Sequence, residues 1–172
     1  MFVKPKRKVT KIYIHCSASD NPEHDDIKVI TRWHLARRFK WVGYHYFITS
    51  QGEVQKGRDL EKMPAAQKGH NKDSIAICVS GLSSFTEKSL FALKQLCLDI
   101  DDEYDSQVTF HGHCEVSAKR CPVFDYKAVL NLGEQGHIKY ERETLTIKDI
   151  PIIKYPIRVR SIWQKILNLF KF

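Results

Sequence analysis

Along KVTKIYIHC, residues 8 to 16, the chain alternates. Val9, Lys11, Tyr13 and His15 fall on one side, and Thr10, Ile12, Ile14 and Cys16 on the other. A period of two predicts a β-strand, with His15 at its C-terminal end. The polar run SASDNPEHD follows. Asp25 or Asp26 can cap a helix reaching about Phe39, because an aspartate oxygen accepts from the free N–H groups of a first turn. Ile27, Ile30, Trp33, His34 and Arg37 lie near one stripe of that helix. Gly43 breaks it. YHYFITS then alternates as a second strand, and QGEV reads as a hairpin turn into a short third one. SIAICVSG is an almost continuous apolar run, as expected of a strand covered on both faces.

Thr86 can cap the next helix, to about Tyr104, with Leu90, Leu93, Leu96, Cys97 and Ile100 at helical spacing. QVTF predicts one more strand, and Asp125 can cap a short helix in DYKAVLNL. These elements make an α/β fold, a mixed central β-sheet flanked by helices. GEQG at 133–136 marks a boundary. It divides a domain over 1–136 from a C-terminal extension over 137–172. Pro151 and Pro156 interrupt the extension, which ends in SIWQKILNLFKF. There Ile162, Trp163, Ile166, Leu167, Leu169 and Phe170 cover one side of a helical wheel. The segment at about 161–172 is thus expected to be a basic amphipathic helix. It can dock on the domain or meet an anionic membrane or lipopolysaccharide.

Composition narrows the setting. The 172 residues are 42% hydrophobic and 28% charged, as in an ordinary globular protein. No apolar run approaches the roughly 20 residues that cross a bilayer. The N-terminus MFVKPKRKVT has no apolar signal core, so synthesis in the cytoplasm without a signal peptide is expected. Five cysteines at irregular spacing do not make a disulfide framework. The formal charge of +8 favours anionic partners: nucleic acid, acidic lipid or a cell-wall polymer.

Chemistry concentrates in HGHCEVSAKRCPVFD, residues 111 to 125. Zinc prefers imidazole and thiolate, and a catalytic site commonly combines three protein ligands with one open position. His113 and Cys121 can meet at one ion if the intervening loop leaves a strand and returns. His15 can supply a third ligand if its strand lies beside QVTF. The spacing leaves rivals, because His111 sits two residues before His113, and Cys16 and Cys114 adjoin His15 and His113. A polar loop with a buried cysteine and surface histidines is an equally good reading of the spacing alone.

Together these residues resemble the zinc-dependent N-acetylmuramoyl-L-alanine amidases of the type-2, peptidoglycan-recognition-protein-like superfamily, above all the amidase-type lysozymes (endolysins) of tailed phages. The motifs are IHCSAS, RWHLARRFKWVGYHYFI, HNKDSIAICVSG and HCEVSAKRCPVFD, in that order. The resemblance covers about residues 8 to 132. It implies zinc bound by His15, His113 and Cys121, with Tyr44 and Lys119 in catalysis and His70 or Asn71 as substrate contacts. Several phage relatives carry a histidine where this chain has Ala66. The implied reaction is hydrolysis of the amide between N-acetylmuramic acid and L-alanine in peptidoglycan. A monomer is implied, acting on the periplasmic or cell-wall polymer after release. Glu115 is expected to hold the ligand loop rather than act as base. His34, Trp33 and His45 are expected to pack, Cys78 and Cys97 to be core thiols, and Asp125 to cap a helix.

Two other functions fit less of the chain. A wall-recognition module without catalysis would typically lack the zinc cysteine, and Cys121 is present. A nucleic-acid- or polymerase-binding protein would suit the charge, but no motif carries that activity, so no nucleic acid is expected.

Overall fold

A computed structural model describes residues 2–140, and the expected amphipathic segment at 161–172 lies outside the described residues. The elements follow the order β1 (Lys11–Cys16), α1 (Ile27–Ala36), β2 (Tyr46–Ile48), β3 (Val54–Lys56), β4 (Ser74–Val79), α2 (Glu87–Glu103), β5 (Thr109–Gly112) and α3 (Tyr126–Leu130). Five strands form one mixed sheet in the order β3-β2-β4-β1-β5. β1 runs parallel to both β4 and β5, β2 is parallel to β4, and only β3 is antiparallel to its neighbour.

β1 is therefore an interior strand, paired on both edges, and residues 12–16 are buried on both faces. Both sides of its alternation are covered: Tyr13 and His15 are as enclosed as Ile12 and Ile14, at 1% exposure or less. Helices cover the two faces separately. α2 lays Leu93, Leu96, Cys97 and Ile100 against Ile12, Ile14, Ile75 and Ile77. Each such aliphatic side chain contributes about 1.5–3 kcal/mol on burial. On the opposite face Ile30 of α1 joins Val42, Phe47 and Cys78. His15 stands opposite Cys78 in the β1–β4 register, so it belongs to this second face.

The helix ends follow local chemistry. Asp26 Oδ1 accepts from the Lys28 N–H at 2.6 Å, Thr86 Oγ1 from Ser89 at 3.1 Å, and Asp125 Oδ1 from Ala128 at 3.0 Å. α1 stops at Ala36, three residues before Phe39. The chain turns there because Arg38 adopts a left-handed conformation, φ 64°, which cannot continue a right-handed helix. β5 runs two residues beyond the expected strand, to Gly112. Past the GEQG turn, Ile138 bridges back to Leu132 and is buried, and the Tyr140 hydroxyl donates to Asp101 Oδ2 at 2.6 Å. The chain as far as Tyr140 thus belongs to one compact unit.

Candidate active site

Parallel pairing of β1 with β5 brings the carboxyl ends of the two strands side by side. His15 is the penultimate residue of β1. His113 follows β5 directly, in a single 3-10 turn over His113–Glu115. Their rings lie 4.5 Å apart, centroid to centroid. Cys121 returns on the loop after that turn, and its carbonyl accepts the Cys114 N–H at 2.6 Å. Cys121 Sγ lies 3.9 Å from His15 Nδ1 and 3.4 Å from the Cys16 N–H that donates to it. One ligand atom each from His15, His113 and Cys121 lies within 4.8 Å of the others, the one such His/Cys/acid cluster among the described residues. His111, Cys16 and Cys114 are not part of it.

The turn bearing His113 is clamped from below. Glu115 accepts from Gly112 N–H at 3.3 Å and pairs with His111 Nδ1 at 2.7 Å, and the Tyr126 hydroxyl donates to its other oxygen. Burial pushes this carboxyl up, but the hydrogen bonds from Tyr126 and His111 outweigh it and hold the carboxyl below its ordinary value. Glu115 thus secures the turn. Gly112 must be glycine, because a Cβ there would come within 2.6 Å of the Tyr126 ring.

A cleft of about 670 Å³ opens above the cluster, lined by His15, His113 and Cys121 together with Tyr44, Lys119 and Arg37. Trp33, His34 and Phe39 also face it, and it carries no Asp or Glu among the described residues. Tyr44 sits 5.1 Å from the His15 ring and 5.4 Å from that of His34. Burial raises its phenol pKa well above the ordinary value, so Tyr44 stays a neutral donor. Lys119 is exposed at the rim. Burial, and then the Lys119 charge, lower the pKa of His113. Burial, with His113 beside it, lowers that of His15 to about 3. Both imidazoles are thereby kept in the neutral form that can offer a lone pair.

The supporting residues pack as expected. His34 Nδ1 accepts the Gly43 N–H at 2.8 Å, and its ring stacks on Phe39. His45 accepts the Ala76 N–H at 3.0 Å and donates to the Lys62 carbonyl at 2.9 Å. Cys78 and Cys97 are fully buried. Asn71 Oδ1 accepts from the N–H groups of Ala66 and Gln67, both at 3.1 Å, which ties off the loop before β4. His70 is exposed, and neither His70 nor Asn71 lines the cleft. Sequence reasoning passes over Gln67. It is 1% exposed, and its amide oxygen lies 3.2 Å from His15 Nε2. A lone glutamine in a polar loop has no periodicity to announce it.

The chain matches the N-acetylmuramoyl-L-alanine amidase family over residues 5–124. It is 32% identical over 132 residues to the endolysin of Enterobacteria phage T3, covering 72% of this chain and 87% of that protein. The endolysin of Escherichia phage T7 gives the same identity and coverage. Among solved structures, the amidase LysC from Clostridium intestinale superposes with a TM-score of 0.64 at 22% identity, over 74% of this chain and 88% of that one. Drosophila peptidoglycan recognition protein SD gives 0.61 at 22%, over 78% and 90%. The sheet order and flanking helices are thus a fold shared with amidases and peptidoglycan recognition proteins. On the strength of that match the chain belongs to the N-acetylmuramoyl-L-alanine amidase family, enzymes that hydrolyse the amide joining N-acetylmuramic acid to L-alanine in peptidoglycan.

Proposed function

We propose that His15, His113 and Cys121 hold a catalytic zinc ion, and that Tyr44 and Lys119 act on the scissile amide beside it. The observation that carries this reading is the convergence of two imidazoles and one sulfur within 4.8 Å at the floor of the cleft. The donor set suits the metal. Two neutral nitrogens and a thiolate match zinc's preference, and three ligands leave one of four positions free. When bound, zinc lowers the pKa of a water to about 7 and polarises a carbonyl oxygen.

The remaining roles belong to the chain itself. The Cys16 thiol, and then burial, push the neighbouring Cys121 thiol up, while the Cys16 N–H that donates to Cys121 Sγ works the other way and favours the thiolate a bound metal would hold. Lys119 supplies a positive charge at the rim, where the carbonyl oxygen becomes anionic on attack. Tyr44 remains a phenol at neutral pH, so it can donate a hydrogen bond to that oxygen or orient the attacking water. Glu115 is committed to the His113 turn, which removes it from proton transfer. The cleft's cationic lining, with Arg37 and Arg120 beside Lys119, suits the free carboxylates of a stem peptide.

The similarity to phage endolysins supports a role in digesting the host wall at the end of infection. The enzyme would be made in the host cytoplasm and act after release to the murein layer. The decisive experiment treats purified sacculi with the protein, with and without a chelator, alongside elemental analysis. Free stem peptides released only without chelator, by a protein holding one zinc per chain, are expected. Sacculus binding without peptide release would instead identify a recognition module.

A further inference from the structure

We propose that Gln67 is the positioning residue for His15: its amide oxygen takes the Nε2 proton, so that Nδ1 presents the lone pair to the metal site. The proposal rests on the zinc reading above.

The argument is one of hydrogen-bond direction. A neutral imidazole carries one proton, on Nδ1 or on Nε2. If it sits on Nδ1, the nitrogen 3.9 Å from Cys121 Sγ points a hydrogen at the cluster and cannot ligate. What lies on the other side of the ring decides between the two. His15 Nε2 faces the Gln67 amide, 3.2 Å from the oxygen. The two ends of that amide are set by its second partner. Gln67 Nε2 donates to Ser74 Oγ at 2.9 Å. Ser74 Oγ has a single proton, and that proton goes to the Asn71 carbonyl at 2.8 Å. Ser74 must therefore accept from Gln67, which turns the NH₂ group toward Ser74 and the oxygen toward His15. Reversing the amide would send the Ser74 proton to Gln67 and strip the Asn71 carbonyl of its donor. The relay Asn71–Ser74–Gln67–His15 thus has one satisfied direction.

The relay is enclosed and anchored. Gln67 and Ser74 are buried, at 1% and 0% exposure, so water does not offer substitutes. The loop carrying Gln67 is tied by Asn71 Oδ1, which holds the N–H groups of Ala66 and Gln67. Ser74 opens β4, the strand bonded directly to β1. The loop acceptor for His15 is thus braced, through Ser74, against the strand next to its own. Partners that fix a ligand's tautomer this way typically matter by about 10–100-fold in metal affinity.

The test begins with the metal-free protein. Long-range nitrogen–proton NMR of His15 in the wild type is expected to show the Nε2–H tautomer. Gln67→Leu, which keeps the volume and loses the acceptor, is expected to shift His15 toward Nδ1–H and weaken zinc about 10–100-fold in a chelator competition. Gln67→Glu keeps an acceptor oxygen and is expected to restore both the tautomer and the affinity. Ser74→Ala, a smaller change should Gln67→Leu fold poorly, frees the amide to flip and is expected to give a mixture of tautomers. A wild-type Nδ1–H tautomer would overturn the proposal, and so would Gln67→Leu and Ser74→Ala proteins with unchanged tautomer and zinc affinity. If the wild-type protein itself binds no zinc, the metal reading fails, while the tautomer measurement still decides whether Gln67 orients the ring.

Discussion

The backbone N–H of Cys16 donates to the sulfur of Cys121, 3.4 Å away, while the Cys16 thiol lies 4.0 Å from the same atom. The main chain of β1, next to one candidate ligand, hydrogen-bonds another. Two substitutions separate these contacts. Cys121→Ser should lose metal on dialysis and lose sacculus digestion with it. Cys16→Ala keeps the N–H and should retain one zinc per chain. Elemental analysis of both proteins checks this, and metal loss from Cys16→Ala would make the Cys16 thiol a ligand.

Lys119 stands at the rim, and after burial its charge is what lowers the His113 pKa. Removing a preorganised charge at a developing oxyanion costs about 10²–10³ in kcat. Lys119→Ala should fall by that amount on a soluble muropeptide, with zinc content intact and KM little changed. A loss confined to KM would reassign Lys119 to substrate binding.

Tyr44→Phe tests the phenol separately. A positioned proton donor is worth about 10²–10⁴-fold, and Tyr44→Phe should lower kcat within that range while zinc content stays at one per chain. Since burial holds the phenol pKa well above its ordinary value, the wild-type pH profile should show no alkaline limb from Tyr44 near pH 10.

His45 makes acid stability measurable apart from the metal. Burial depresses its pKa to about 4, because protonation would place a charge inside the protein and block the acceptor for Ala76 N–H. The unfolded chain takes up that proton near pH 6.5 and the native protein does not, so stability is full above pH 6.5. It declines as pH falls toward 4. Between pH 6.5 and 5 this one residue accounts for about 2 kcal/mol. Urea unfolding at pH 7.5 and 5.0 in chelator should show a decline of at least that size. His45→Gln should reduce it by about 2 kcal/mol, leaving the share of His15 and His34, whose pKa values burial also depresses.

Gly43 packs against two residues of the cleft wall, Ala65 and His34. A Cβ there would approach the Ala65 carbonyl oxygen to 2.4 Å and His34 Cε1 to 3.3 Å. Gly43→Ala should destabilise the protein by about 1–3 kcal/mol, as overpacking does, and reduce turnover by shifting Tyr44. Thermal unfolding and peptide release measured on the same sample test both effects.

Much of this was legible in the sequence, for physical reasons that differ residue by residue. Asp26, Thr86 and Asp125 cap helices through their own side-chain oxygens, so local sequence suffices. The cluster of His15, His113 and Cys121 needed β1 to lie beside β5. Alternation could place His15 at a strand end but could not choose its neighbour, and the motif order supplied that. The end of α1 was misjudged by three residues because nothing in Arg37 or Arg38 announces a left-handed residue. Gln67 was missed for a deeper reason. Its importance comes from the identity of its partners across the sheet, His15 and Ser74, and polarity along a loop carries no record of what a side chain will face.

The three candidate ligands do not sit on equally firm ground. His15 rides on a strand hydrogen-bonded along both edges, and His113 begins where a paired strand stops, whereas Cys121 is carried by a loop whose carbonyl is held by Cys114. Gentle warming should therefore free the sulfur while both imidazoles remain in register, and the protein should lose its metal before it loses its circular dichroism. Inactivation of this kind would be reversed by cooling in zinc, with no refolding of the sheet required.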